Sequence, residues 1–575
     1  MTAVNAPRPP SRFARRFIPL DEALDDWSKI EGYFNELESR AIETSAQLSR
    51  WLEDVSELMA CVNEVGTDRY VKMTCQTDNP ARKAAFLDFV ENIEPPCKQR
   101  GYALDVKYAR SAASTLLPKE RYHVLDRATR ASVEIFREEN VALQTEESRL
   151  VQKFQEISGA QTVTFDGKER TLQQLAPYLE RTDRVLRQSA WEAEAARRMK
   201  DAAALEDVFD TLVALRHRMA VNADCADYQA YAFKSKQRFD YTPDHCTAFH
   251  EAVERFAVPV HRDMQRRRAT ALRVDPLRPW DLAVDVKGRV PLTPFDATEE
   301  FCDKSSRVFH RVNPELGAQF DEMRRAGFLD LESRKGKAPG GYQATYDDAR
   351  HPFIFMNAVG VQRDVRTMIH EGGHAFHCYA ARHDPILHYR SSPIEFAEVA
   401  SMGMELLALR AYDEFYHGEE LRRAVRAQLE GIVALLPWVA TIDAFQRFLY
   451  TQPDHTRTER RTAWLELYRR FGGIADWSGH DEALACSWQR QLHLFQSPFY
   501  YIEYGIAQLG ALQVWRRSKT DRAGAVRAYR AALALGGSKP LPVLFETAGA
   551  TFDFSSATIE PLMELLQREL EKLPD

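Results

Sequence analysis

The sequence predicts a mainly α-helical protein. Apolar residues recur at helical spacing over most of the chain, those stretches hold few glycines, and strand signals are confined to three short places. A chain of 575 residues, 45% hydrophobic and 28% charged, is long and apolar enough to bury large cores. A net charge of −7 is mild at this length and points to neither nucleic acid nor an anionic membrane as partner.

Taken in order, residues 20–66 and 80–108 carry helical stripes. Trp27, Ile30, Phe34 and Leu37 form one, and Leu48, Trp51, Leu52 and Val55 another. Such stretches suggest antiparallel helical hairpins. Residues 122–158 continue the pattern. Thr162 to Gly167 reads as a short strand and turn, and residues 171–220 lead into a long helix. Phe239 to Leu272 is helical, with Arg266, Arg267 and Arg268 as a solvated face. Residues 276–291 read as loop and strand, and 294–325 as helix. Tyr342–Tyr346 and Phe353–Met356 are the clearest strands, joined by a turn over 347–351 into an antiparallel hairpin. Residues 412–450, 460–471 and 523–573 are helical.

Eight scattered cysteines without a C-x-x-C pair suit reduced thiols in a cytosol. Residues 1–19 hold three prolines before Arg12 and no apolar h-region. They read as a disordered or docked tail rather than a secretory signal. The longest apolar run, 432–442, contains Pro437 and is too short to span a bilayer.

One stretch carries chemistry. Between Asp364 and His377 stands His370-Glu371-Gly372-Gly373-His374, an H-E-x-x-H motif. In a helix, residues four apart are about 40° apart around the axis and ~6 Å apart along it. Both imidazoles can then face one metal ion, with Glu371 beside them as general base. Asp364 reads as the N-cap, and Val365, Met368, Ile369 and Phe376 as the buried face. Gly372 and Gly373 cost helix stability, about 1 kcal/mol each relative to alanine. They read as a place where backbone or substrate approaches closely.

A zinc site needs a third protein ligand and one open position. A third histidine six residues after His374 is excluded, because Ala380 stands there. The alternative is a glutamate from a later helix. Ser392, Pro393 and Glu395 read as a capping box, which occupies Glu395. Glu398 lies in the apolar run Phe396-Ala-Glu-Val-Ala, where an uncompensated carboxylate is costly. Glu398 is therefore the expected third ligand. Glu405, seven residues on, is a candidate hydrogen-bond partner for a ligand imidazole. This donor set suits one Zn²⁺ per chain, and also admits Co²⁺ or Mn²⁺.

These residues resemble the M3 family of zinc peptidases, the oligoendopeptidase F branch more than the thimet oligopeptidase branch. The resemblance rests on residues 370–377 and 396–401, on Gly340 to Tyr346, on His351 to Asn357, and on Ser497 to Gly505. It is strongest over about 330–550. A third tyrosine common shortly after the pair in the family is replaced here by Ile506 and Ala507.

The resemblance implies two helical lobes around a deep substrate channel, with a soft boundary near Lys200. This divides an N-terminal helical domain, 1–199, from a catalytic domain, 200–575. It implies cleavage of internal bonds in short unstructured peptides. The peptide would lie along the hairpin, with Gly340, Gly341, Tyr342, Tyr346 and Tyr500 as substrate-binding residues. Tyr504, with Tyr501 or His493, would steady the oxyanion. Another zinc hydrolase using the same ligands, such as an aminopeptidase, and a non-catalytic helical peptide-binding protein remain alternatives. The G-A-M-E-N signature of the common aminopeptidase class is absent.

Overall fold

A computed structural model describes residues 13–573. The chain folds into two compact units, each assembled from separated segments. The first takes the chain up to Val133, Leu292–Val425 and Ala507–Phe552. The second takes Glu134–Pro291, Arg426–Ile506 and the chain from Asp553 on. Lys200, near the sequence-level boundary, lies inside the 39-residue helix Arg184–Asn222.

In the first unit, the expected stripes of helices Trp27–Ser39 and Ser45–Cys75 close on one another. Ile30, Phe34, Leu37, Leu48 and Trp51 are at most 1% exposed. Trp51 also satisfies its indole N–H on the Leu37 carbonyl at 2.9 Å. Arg15 reaches Asp348 through paired hydrogen bonds of 2.9 and 2.6 Å, so the tail expected to be loose or docked is docked from Phe13. Residues 1–12 of that tail lie outside the described residues.

The first unit carries a three-stranded sheet, ordered Leu329–Glu332, His351–Ala358, Tyr342–Tyr346. The expected hairpin is present and antiparallel, with Tyr342 opposite Phe355 and Tyr346 opposite His351. The sheet as a whole is mixed rather than antiparallel, because Leu329–Glu332 joins the central strand in parallel. Tyr342–Tyr346 is an edge. Beneath the sheet, the Lys337 ammonium is fully buried and ion-paired to Asp330 at 2.8 Å. It also donates to the carbonyls of Glu332 and Met356.

The second unit packs helix Arg184–Asn222 with aromatic residues from 445 to 499, among them Phe445, Trp464, Trp488, Phe495 and Phe499. Strand Thr162–Phe165 pairs with Lys168–Thr171 through an Asp166-Gly167 turn. Both turn residues have positive φ, 53° and 69°. No strand forms over 276–291, where Pro279–Asp281 is instead a single helical turn held by Arg184 and Arg187 on the Asp281 carboxylate. Of the basic run, Arg266 and Arg267 are exposed as expected, while Arg268 turns in to the carbonyls of Asp281 and Val284.

Helix Gly418–Thr451 as a whole, longer than the apolar run within it, has the length and composition to cross a membrane. Its most apolar window is 67% buried in the protein, as in the core helix of a folded domain.

Candidate metal and catalytic site

The motif helix runs Gln362–Ala381. Asp364 is not its N-cap but its third residue. The carboxylate reaches back to the amides of Val359, Gly360 and Val361 at 2.8, 2.9 and 3.0 Å. It thereby takes up donors that the helix start leaves unbonded, and its charge suits the helix N-terminus. Val365, Met368, Ile369 and Phe376 are buried as expected. Gly373 is explained by packing: a Cβ there would sit 2.6 Å from the Ser401 Cα and the Ala400 carbonyl. Glycine lets the glutamate helix, Ile394–Ala408, close directly on the motif helix. What approaches here is backbone, not substrate.

The capping box expected at Ser392 does not form. Pro393 is itself the N-cap, at φ −51° and ψ 147°, and the buried Ser392 Oγ has no hydrogen-bond partner. The expected register of Glu398 and Glu405 toward the motif helix nevertheless holds. One ligand atom each from His370, His374 and Glu398 lies within 4.8 Å of the other two. Glu398 Oε2 is 3.4 Å from His370 Nε2 and 3.8 Å from His374 Nε2. Ser401 Oγ donates to that same Glu398 oxygen at 2.8 Å. The two imidazole rings are 4.9 Å apart and nearly perpendicular, at 81°.

Glu405 Oε1 meets His370 Nδ1 at 2.7 Å, while Arg366 Nε donates to Glu405 Oε2 at 2.9 Å. The Glu405 carboxylate can only accept, so Nδ1 carries a proton, and Nε2 is the nitrogen that would be given to a cation when one is bound.

Burial alone would lower the pKa of His370, but the hydrogen bond and charge of Glu405, with Glu398 and Glu371, push it up to about 9. His374 is held neutral, well below its ordinary value, by burial and by the neighbouring His370. Burial raises Glu398, and the charge of His370 opposes that. Three carboxylates thus crowd two imidazoles in a buried place, a setting that calls for a cation. The donors, two nitrogens and an oxygen, fit a divalent transition ion, zinc foremost.

Glu371 is 8% exposed and projects beside this set. Burial pushes its carboxyl up to about 7, against the His370 charge and a hydrogen bond from the Gln343 backbone amide. A base with a pKa near neutrality is well placed to take and return a proton. Among the described residues, Cys378 is not in the set whose ligand atoms converge, and burial pushes its thiol up to about 12. His377 is buried with no partner on Nε2 and is pushed down to about 4 by burial, so it is a neutral packing residue.

The candidate peptide-binding strand presents backbone rather than its tyrosines. The Tyr342 hydroxyl is 2.6 Å from Thr74 Oγ1, and its ring stacks on Phe355 at 4.8 Å. Tyr346 is 5% exposed and packs edge-on against Phe328. Gly340, at φ 98°, turns the chain into the strand, and Gly341 passes close to the Thr367 methyl group, 3.1 Å from where a Cβ would stand. A free sheet edge offers main-chain donors and acceptors regardless of side chain.

His493, Tyr500, Tyr501 and Tyr504 belong to the second unit and form a four-ring cluster there. His493 lies 5.6, 5.0 and 6.0 Å from the rings of Tyr500, Tyr501 and Tyr504. Burial lowers His493 and raises Tyr501. Sequence reading missed what anchors this cluster. Arg238 donates to the Phe499 carbonyl and, at 2.6 Å, to Glu503, with side chains 0% and 3% exposed. Gln446 accepts from the Phe499 amide at 2.5 Å, where the backbone sits at φ 62°.

Known proteins resemble this chain in sequence and in fold. An oligoendopeptidase F homolog of Borreliella burgdorferi is 26% identical over 332 residues, covering 55% of this chain and 54% of that protein. In sequence, the chain thus spans about half the length of the curated relatives it matches. An X-ray structure described as an oligoendopeptidase F superposes with a TM-score of 0.87 at 28% identity, covering 97% of this chain and 99% of the other. PZ peptidase A with an inhibitor superposes at 0.86 and 25% identity, covering 97% and 98%. The sequence model of peptidase family M3 matches residues 178–564, and the chain belongs to that family.

Proposed function

We propose that this protein is a zinc-dependent oligoendopeptidase that cleaves internal bonds of short, unstructured peptides. The observation that carries the reading is the convergence of His370, His374 and Glu398, from two helices, with Glu371 beside them. Membership of a peptidase family supports the reaction class. When bound, Zn²⁺ supplies Lewis acidity at the attacking water and the peptide carbonyl.

The chain's own residues do the rest. Glu371 takes the proton of the attacking water and returns it to the leaving nitrogen. Glu405 holds His370 in its Nδ1–H tautomer. The edge strand Tyr342–Tyr346, entered through Gly340 and Gly341, pairs with the peptide backbone. Tyr504, with Tyr501 or His493, donates to the oxyanion, and Tyr500 lines the substrate. Support for these last roles is the sequence pattern and the clustering of the four rings in their own unit. The chemistry is assigned to residues 200–575 and a supporting role to 1–199. Eight free cysteines support a reducing, cytoplasmic setting.

Internally quenched peptides test the reading. Cleavage is expected with both peptide ends blocked, to be lost on chelation and to return with Zn²⁺. Glu371→Gln is expected to keep its metal and lose about 10²–10⁴-fold in kcat. A Glu371→Gln protein that cleaves as fast as its parent, or a parent that requires a free peptide amino terminus, refutes it.

A further inference from the structure

One turn before His370, on the same helix face, stands Arg366. Residues 366, 370 and 374 are four apart and form one stripe toward the glutamate helix. Arg366 bonds Glu405, His370 meets both Glu405 and Glu398, and His374 faces Glu398. Glu405 is almost wholly buried, with its side chain 3% exposed, whereas the Arg366 side chain is 43% exposed. Only Nε of Arg366 is engaged. Among the described residues, Nη1 and Nη2 take no hydrogen-bond partner. The guanidinium is therefore pinned through one nitrogen and open at the other two. A planar fork held this way offers directed N–H donors to a carboxylate, which a flexible ammonium does not.

We propose that Arg366 is a specificity-determining residue. Its open Nη groups bind a carboxylate of the peptide, so that peptides carrying one near the scissile bond are preferred. The inference rests on the peptidase reading and adds a substrate class to it. One helical turn advances 5.4 Å, and an extended peptide advances about 3.3 Å per residue. The carboxylate therefore sits within about three residues of the cleaved bond. An Asp or Glu side chain and a C-terminal α-carboxylate supply the same chemistry.

The test uses one quenched parent peptide in which Glu or Gln is placed at each of three positions on either side of the cleaved bond. Each peptide is made with a free and an amidated C-terminus. The parent enzyme is expected to favour Glu over Gln at one position, or free acid over amide, by about 10-fold or more in kcat/KM. That ratio is expected to fall to near 1 in Arg366→Gln and to be partly kept in Arg366→Lys. Because each ratio is taken within one enzyme sample, incomplete metal loading cancels. Binding of the same peptides to Glu371→Gln protein, read by fluorescence anisotropy, is expected to show the same preference without turnover. A parent ratio near 1 at every position and terminus overturns the inference, as does a ratio that survives in Arg366→Gln. If the parent cleaves none of the peptides with zinc present, the peptidase reading itself fails and takes this inference with it.

Discussion

The two clusters of chemistry-bearing residues in this molecule are built in opposite ways. In the first unit, His370, His374, Glu371, Glu398 and Glu405 come from two helices close in sequence, and His370 is held by Glu405 from within the set. In the second unit, His493, Tyr500, Tyr501 and Tyr504 are rings from two neighbouring helices and the turn between them, and Arg238, 265 residues before Glu503, anchors the segment that carries the tyrosines. Local spacing builds the first cluster. Arg238 and Gln446, both distant in the chain, anchor the second. The first should therefore survive changes in its surroundings, and the second should fail when one distant side chain is removed.

The largest effect expected from this contrast is in Arg238→Met. Removing one member of a buried ion pair costs about 3–5 kcal/mol. Thermal unfolding should shift down markedly and turnover should fall. Zinc stoichiometry of the protein that remains folded should be unchanged. Loss of zinc in that folded fraction would erase the contrast. Next comes Tyr504→Phe, which removes one hydroxyl and leaves the ring packing. A fall of about 10²–10³-fold in kcat with metal content unchanged would assign it the oxyanion role. A value equal to the parent's would move that role to Tyr501 or His493.

A smaller effect sharpens the first cluster through its supporting sheet. Asp330 is the counterion of the buried Lys337. Burial raises its carboxyl, but Arg334, the Cys75 thiol and Lys337 outweigh burial and hold it at about 2. A depressed carboxyl stabilises the folded state above its unfolded value near 4, and that stabilisation is lost as pH falls toward 2. It is worth about 2 kcal/mol at neutral pH. The Tm gap between parent and Asp330→Asn should be widest above pH 5 and narrow progressively toward pH 2. A gap that does not narrow contradicts the assignment.

Much of the first cluster was legible in the sequence, because a helix turns spacing into direction. His370 and His374 could be placed on one face, and Glu398 singled out as a carboxylate in an apolar run. What failed were the helix starts. An N-cap aspartate accepts from amides ahead of it, whereas Asp364, at the third helical position, accepts from Val361 and the two amides before it, so the residue caps the helix from the other side. Ser392 carried a capping signal, but the helix begins only after Pro393, and the serine is left without a partner. Strand Leu329–Glu332 was invisible because it is four residues long and its parallel partner lies more than 20 residues on. The anchoring of the tyrosine turn could not be read at all, since nothing local to Arg238 marks it as the partner of Glu503.

The central claim is that His370, His374 and Glu398 together hold one cation. Metal analysis of parent and Glu398→Ala protein, each dialysed against excess Zn²⁺ and then buffer, tests it most directly. One zinc per parent chain is expected, with most of it lost from the variant while the variant's folding is retained. Equal zinc in both proteins, or none in either, would contradict the account.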